Sequence, residues 1–305
     1  MVILFLEWVF SIIVAAYHER NVEVMIGDRG SKIVHKMPEP IFGMSMVMHN
    51  GTILSCGGGG DNVDIISKSC LQLNSGVWKE HSTLNIGRLC HSVAATANGT
   101  FIFGGLYSFN TYEYLPKNSN TWRLGKTEIP GLGIFNGSAI VSKCGQEIWL
   151  IGGSGPGTEK RILKFNINDH TFHEMTTQLI IERHEHRCYF IPNTNKILIT
   201  GGYSENSSGL EGLNSTEIYD TEDGSITMAS PMNFERYGHG IGIITINGDD
   251  RLAVFGGDRR NPIGGSVELY NTETTKWETT RIKLDCAYYD FGFLEVNLAD
   301  IISKL

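Results

Sequence analysis

The sequence predicts an all-β fold, a single β-propeller of six blades. Three observations lead to this prediction. A glycine pair recurs at a regular interval, each repeat contains four short strand-like segments, and Asn-Gly turns follow the first of these segments in several repeats. Four-stranded units with a period near 50 residues are typical of propellers, in which each unit forms one blade.

The glycine pairs define the repeat. Each pair ends a short apolar run, and successive pairs begin 47, 48, 49 and 55 residues apart, at Gly57, Gly104, Gly152, Gly201 and Gly256. The glycine-rich stretches 57–61 and 152–157 have no following Lys-Ser/Thr and lead into no helical pattern, so a phosphate-binding loop is not expected. We interpret the pairs as places where strands pack closely.

Four strands fit within each repeat, as residues 239–279 illustrate with "HGIGIITI", "RLAVFGG", "SVELYN" and "KWETT". Asn-Gly favours a tight hairpin because both residues tolerate positive φ. It separates the first two strands at Asn50, Asn98 and Asn247. An aromatic residue recurs on the third strand, at Tyr114, Phe165, Tyr219 and Tyr270, and a large residue recurs on the fourth, at Trp78, Trp122, Phe172, Ile226 and Trp277.

This order of glycine pair, tyrosine and tryptophan resembles the kelch repeat of the galactose oxidase-like propeller superfamily. The resemblance covers nearly all of residues 17–305, with five full repeats over about 40–281, although the first has Leu73 in place of the tyrosine. It implies that loops around the inner strands bind peptides or proteins.

The two ends of the chain are expected to form the sixth blade, from residues 17–39 plus 282–305. Residues 21–40 parallel the outer strands of residues 215–234, and residues 288–297 parallel the first strand at 237–247. The N-terminus would thus give outer strands and the C-terminus inner ones, and their pairing would close the ring and remove the free sheet edge.

The first 16 residues allow two interpretations. They are apolar, carry one charge at Glu7 and end in Val-Ala-Ala, which predicts a signal peptide and a secreted, extracellular protein. Alternatively, residues 8–16 contain the second strand of the sixth blade, because Ala15 precedes Met25 by the same interval that separates Gly104 from Tyr114. That alternative favours a cytoplasmic protein; in the secreted form the strand would come from "LADIISKL" at the C-terminus.

Secretion would make two modifications relevant. Three Asn-x-Ser/Thr sequons lie in loop-like stretches, and an N-glycan is predicted on at least one of Asn136, Asn206 and Asn214. Cys56 and Cys70 fall on the second and third strands of one blade, close enough for a disulfide, with two buried thiols as the alternative.

An Arg-x-x-His motif recurs where the chain crosses from one blade to the next. The candidate partner-binding residues are therefore Arg88, Arg183, His184, His186 and Arg236, with pairing to a carboxylate within the blade as the alternative for the arginines. "HEH" at 184–186 suggests a metal site, but His186 has repeat counterparts at His91 and His239. On a regular strand Glu185 would point the other way, leaving fewer ligands than zinc requires. We expect no metal and no cofactor.

Composition and motifs favour a binding function. The net charge of −8 argues against nucleic acid as a partner. The sequence has no internal run of about 20 apolar residues, so we predict no transmembrane segment. No nucleophile–base set stands out, and the copper ligands of galactose oxidase and the residues of sialate epimerases cannot be placed. We predict a monomeric, non-catalytic scaffold that presents its loops to a protein or glycan partner. The alternative is an intracellular kelch substrate-recognition subunit acting with a separate ubiquitin-ligase adaptor. An enzyme similar to galactose oxidase or to the sialate epimerases is less favoured.

Overall fold

The computed structural model describes most of the chain, namely residues 10–15, 20–25, 27, 30–60, 66–131, 136–155, 157, 159–206, 209–257, 265–284 and 292–297. Within these ranges the regular structure is β, with no α-helix, as the sequence predicted. No helix that could cross a membrane occurs among these residues.

The strands follow one another with short connections, as expected for a blade architecture. In chain order they are β1 (Phe10–Ala15), β2 (Asn21–Met25), β3 (Ser31–Lys36), β4 (Ser45–His49), β5 (Thr52–Cys56), β6 (Ser69–Asn74), β7 (Val77–Thr83), β8 (Ser92–Thr96), β9 (Gly99–Phe103), β10 (Tyr112–Pro116), β11 (Arg123–Leu124), β12 (Ser138–Val141), β13 (Glu147–Ile151), β14 (Ile162–Asn166), β15 (Phe172–Glu174), β16 (Arg187–Phe190), β17 (Lys196–Thr200), β18 (Tyr203–Asn206), β19 (Gly209–Gly212), β20 (Thr216–Asp220), β21 (Ile226–Ala229), β22 (Gly240–Ile246), β23 (Asp249–Phe255), β24 (Ser266–Asn271), β25 (Lys276–Lys283) and β26 (Gly292–Asn297).

Five four-stranded antiparallel sheets each come from one continuous stretch of chain, and we number them blades one to five. Their strand orders are β4-β5-β6-β7, β8-β9-β10-β11, β12-β13-β14-β15, β16-β17-β20-β21 and β22-β23-β24-β25. The first strand of each blade contacts the first strand of the next, which is the arrangement of a β-propeller. Strands β18 and β19 form a separate hairpin within blade four.

The residues that defined the repeat pair across the third and fourth strands. Phe165 lies opposite Phe172, and Tyr270 lies opposite Trp277. The apolar cores form between blades: Phe103 of blade two packs in one cluster with Leu150 and Phe165 of blade three. The residues that recur in the sequence therefore recur in the contacts within and between blades.

Strands from the two ends share a further sheet, with the order β26-β1-β2-β3. Three of its strands come from the N-terminal segment of the chain and a single strand comes from the C-terminal segment, whereas the secreted interpretation predicted two from each. The extra strand is β1, where Ile13 pairs with Leu294 on one side and Val24 on the other. Its run of apolar, β-branched residues suits a central strand.

This placement has a direct bearing on the predicted signal peptide. Residues 10–15, which that prediction assigned to the leader, form the strand that the alternative interpretation predicted. The predicted cleavage point after residue 16 and the C-terminal segment 298–305 lie outside the described residues.

Candidate functional site

The arginines of the Arg-x-x-His motif lie in the interior. Arg88, Arg183 and Arg236 are at most 1% exposed, and each pairs with a glutamate on the third strand of the following blade. The ion pairs are Arg88–Glu113 at 3.2 Å, Arg183–Glu217 at 2.7 Å and Arg236–Glu268 at 3.0 Å. Pairing within the propeller, the alternative left open by the sequence, is what the structure shows. This corrects their assignment as partner-binding residues, because a buried, paired guanidinium is not presented to a partner.

Each of these arginines joins two blades. The backbone carbonyl of Arg236 accepts a hydrogen bond from Gly202 N of blade four at 2.7 Å. Its guanidinium Nη1 donates to Gly256 O of blade five at 2.6 Å. A side chain at Gly201 would bring Cβ within 2.3 Å of Arg236 O, and the glycine has a φ of +56°. The glycine pairs are thus needed where the next inter-blade linker packs against them.

The repeated histidines are also structural. His91, His186 and His239 are buried, and each packs against the glycine pair of the preceding blade. His239 Nε2 lies 2.9 Å from Thr200 Oγ1, and His91 Nε2 lies 2.6 Å from Ser45 Oγ. Burial lowers the pKa of His91 to about 3 and holds the pKa values of the other two well below the usual range. All three are neutral at physiological pH, and His186 is corrected from partner-binding candidate to packing residue.

The "HEH" stretch does not have the regular strand geometry that the metal hypothesis assumed. Strand β16 begins only at Arg187, and Glu185 has a φ of +55°. The Glu185 carboxylate accepts hydrogen bonds from Asn136 Nδ2 and Tyr203 OH, both at 3.1 Å. Among the described residues, no group of three or more His, Cys, Asp or Glu side chains could hold a metal ion.

His184 is the one of the five candidates that is only half-buried. Its ring centroid lies 3.8 Å from that of Tyr203, which in turn lies 5.2 Å from the ring of Tyr237. Burial lowers the pKa of His184. It therefore belongs to an aromatic cluster on the side of the propeller where the inner strands begin.

A set of backbone hydrogen bonds links blades one to five on this side. In each numbered blade, the residue two positions before the first strand has a φ between +54° and +60°. In blades two to five, its N–H donates to the carbonyl of its counterpart in the preceding blade, at 2.8 to 2.9 Å. We call these residues the entrance ring: Gly43, Cys90, Asn136, Glu185 and Gly238.

A cavity of about 460 Å³ lies along the axis below the entrance ring. Its wall comes from the first strands of all five blades and from β26, and we call it the axial cavity. Most of the wall is apolar or small, as at Met46, Ala139, Ile140 and Leu294. A second cavity of about 40 Å³ adjoins it at the entrance ring and also contacts Arg187.

Two residues with ionisable charge, Arg187 and Glu295, lie among the residues of this wall. Arg187, the first residue of β16, donates from Nη1 to His186 O at 3.1 Å, and its guanidinium carbon lies 5.6 Å from the Phe293 ring centroid. Glu295 Oε2 accepts hydrogen bonds from Tyr189 OH and Ile243 N, both at 2.7 Å. Burial raises the pKa of the Glu295 carboxyl.

Sequence reasoning did not identify these lining residues. One signal was available for Arg187: the first strands of blades one, two and three begin with serine at the equivalent position, where blade four has arginine. Those serine hydroxyls bond to the next blade; for example, Ser92 Oγ donates to Gly137 O at 3.0 Å. An arginine in a series of serines marks a break in the repeat.

The predicted modifications have different outcomes. Cys56 and Cys70 occupy paired positions on β5 and β6 and are joined by a disulfide, as predicted. Asn214 is exposed, whereas the Asn136 side chain donates to Glu185 in the entrance ring. The surroundings of the Asn206 side chain lie outside the described residues. Glycosylation stays a prediction.

We call the side of the propeller that carries the entrance ring and the inter-blade linkers the entrance face. It and the axial cavity are the candidate binding sites among the described residues. No protein-family model and no curated protein matches the chain.

Proposed function

We propose that this chain is a six-bladed, kelch-type propeller, closed by the sheet β26-β1-β2-β3, that acts as a non-catalytic scaffold binding a protein partner. Support for closure comes from the contacts of β26 with β4 on one side and with β22 on the other. Support for the kelch type comes from the glycine pair and the cross-strand aromatic pairs.

The observation that carries the binding function is the composition of one face. Strands in a blade alternate in direction, so the loops between second and third strands emerge on the same side as the entrance ring and the inter-blade linkers. Tyr107, in the loop after β9, is 76% exposed there. The cluster of His184, Tyr203 and Tyr237 lies on the same face. Exposed aromatic side chains are enriched at protein interfaces and provide many of their strongest contacts.

The buried ion pairs explain how this face is held in position. Three of the inter-blade linkers are each fixed by an arginine that bonds to two blades, so the loops beside them rest on a rigid framework. A glycan is the alternative ligand, because aromatic rings also stack on sugars. An intracellular kelch subunit that works with a separate ubiquitin-ligase adaptor would use the same face.

The compartment remains a separate hypothesis. The Cys56–Cys70 disulfide favours the secreted form, since disulfides persist in oxidising compartments. Cleavage after Ala16 would remove β1 from between β26 and β2, which favours the uncleaved, cytoplasmic form. The mass of the mature protein from its natural source distinguishes the two forms.

Affinity purification of the tagged full chain from its natural cells tests the binding function. Wild type and Val77→Ser should retain the same specific partner. Val77→Ser is the control, because Val77 lies on the opposite face and its side chain is 53% exposed. Tyr107→Ser combined with Tyr203→Ser should lose it by quantitative mass spectrometry. Equal recovery by all three proteins, or no specific partner with any of them, would reject the entrance face as the binding surface.

A further inference from the structure

We propose that the axial cavity is a binding site for a hydrophobic primary amine in its ammonium form: the ammonium group pairs with the Glu295 carboxylate, and the apolar portion lies against the inner strands. This site is distinct from the loops of the entrance face and does not depend on the protein partner proposed above.

The size and construction of the cavity suit a small molecule. Its volume of about 460 Å³ falls within the range of known ligand sites, about 300–1,000 Å³. The wall is formed mostly by β-strands rather than loops, so the site is largely preformed, which lowers the entropic cost of binding.

Glu295 gives the cavity a hydrogen-bond acceptor that the protein itself does not use. Its Oε2 accepts hydrogen bonds from Tyr189 OH and Ile243 N, each at 2.7 Å, and these contacts fix the carboxyl group in the wall. Among the described residues, Oε1 accepts no hydrogen bond and no lysine, arginine or histidine forms an ion pair with Glu295. A cationic ligand therefore meets a free carboxylate oxygen on a side chain that is already held in place.

The surroundings of Glu295 favour a ligand with positive charge. Burial raises the pKa of the Glu295 carboxyl, and the negative charge of Asp250 raises it further. Burial and the charge of Glu295 raise the pKa of Tyr189, which keeps its hydroxyl protonated as a donor to Glu295. An ammonium ion offsets the cost of burying the Glu295 carboxylate, because an opposite charge stabilises the ionised form.

Arg187 occupies a different level of the cavity. It contacts the small cavity at the entrance ring, and its Nη1 donates to His186 O at 3.1 Å. Tyr189, which bonds to Glu295, lies two residues further along β16, away from the entrance ring. The ammonium group is thus placed towards the end of the cavity opposite the entrance ring, and its pairing makes no use of the Arg187 guanidinium.

The remaining wall provides an apolar surface that adapts to shape. Met44, Met46 and Met48 approach from β4 and the residue before it, and Ile140 and Leu294 approach from β12 and β26. Methionine side chains are flexible and polarizable, so they accommodate aliphatic chains of differing outline.

Isothermal titration calorimetry on the full chain with octylammonium, octan-1-ol and octanoate tests the proposal. The three probes share one alkyl chain and differ in the charge of the head group. Octylammonium should bind with a stoichiometry of one, at least about tenfold more tightly than either matched probe, because only it forms a charge-assisted hydrogen bond with Glu295. Absence of octylammonium binding, or binding of octan-1-ol or octanoate that is equal or tighter, would overturn the proposal.

Variants locate the site. Glu295→Gln keeps an oxygen for Tyr189 and Ile243 but removes the charge, so it should abolish the preference for octylammonium over octan-1-ol. Glu278→Gln, at a solvent-exposed ion pair with Arg251, should leave both affinities unchanged. Ala139→Phe should fill the cavity and abolish binding of both probes.

The result does not depend on one variant. Should Glu295→Gln not fold, Glu295→Asp, which keeps the charge but withdraws it by one methylene, should weaken octylammonium several-fold. Octylammonium affinity that is unaffected by Glu295→Gln, or by Ala139→Phe, would place binding elsewhere and overturn the assignment of the axial cavity.

The outcome is independent of partner binding. Tyr107→Ser with Tyr203→Ser should leave octylammonium affinity at the wild-type value, because neither side chain lines the axial cavity. A change in octylammonium affinity in this variant would contradict the separation of the two sites.

Discussion

Removing the buried guanidinium of Arg236 should destabilise the whole propeller. In Arg236→Met, the Glu268 carboxylate stays buried without its countercharge, and the carbonyls of Gly256 and Ser266 each lose one donor. Breaking one side of a buried ion pair costs about 3–5 kcal/mol. For a chain of this size, about 2 °C of Tm corresponds to 1 kcal/mol, so Tm should fall by about 6–10 °C.

Urea unfolding followed by tryptophan fluorescence and circular dichroism measures this loss. Arg251→Met removes an exposed ion pair and should cost less than about 1 kcal/mol, which makes it the matched control. Glu268→Gln in the Arg236→Met background should restore at least about 1 kcal/mol, because it removes the uncompensated charge. The Glu268 carboxylate also accepts from Asn233, and glutamine keeps an oxygen there.

The reasoning would be refuted if Arg236→Met cost no more than Arg251→Met. It would also be refuted if Glu268→Gln made Arg236→Met still less stable. Either result would mean that the ion pair does not hold blade five to the linker before it.

Three further predictions concern pH, the disulfide and the N-terminal strand. The free energy of unfolding should fall as the pH drops below about 6.5, because His91, His186 and His239 bind protons in the unfolded chain but not in the folded one. The unfolding free energy should change by at most about 1.4 kcal/mol per pH unit for each histidine. Urea unfolding at about pH 7.5 and about pH 5.0 measures this change, and equal free energies at the two pH values would contradict the prediction. Replacing Cys56 and Cys70 by alanine should cost about 3 kcal/mol, the value for a loop of 14 residues, and an unchanged urea midpoint would argue against the bond. Deleting residues 1–15 should lower Tm, because β2 and β26 lose the strand between them; an unchanged Tm would show that another segment replaces β1.

The repeat could be predicted from the sequence because the same local rules recur in every blade. Asn-Gly marks a hairpin through its backbone preferences, and Asn247 indeed has a φ of +52°. The pairing of Tyr270 with Trp277 follows from the same period. Such features depend on neighbouring residues, so one sequence is enough to detect them.

The candidate site was harder to predict, because its residues are brought together by the ring. Arg187 and Glu295 are far apart in the chain and each stands in an ordinary strand segment. The motif that did stand out, Arg-x-x-His, recurs because three linkers place a buried, paired cation and a neutral ring beside the glycine pair. The repeated motif therefore serves the architecture, whereas Arg187, which departs from the serine of blades one to three, lies on the cavity wall.

Closure of the ring by the two ends of the chain is the central claim, and an engineered disulfide tests it most directly. Ile13 and Leu294 are paired residues on β1 and β26, and antiparallel partners have Cα atoms about 4.5–5.5 Å apart, within disulfide reach. Ile13→Cys with Leu294→Cys should form an intramolecular bond under mild oxidation, detected by peptide mass mapping, whereas Ile13→Cys with Val77→Cys should not. Failure of the first pair to cross-link within one chain would contradict a propeller closed by β26 and β1.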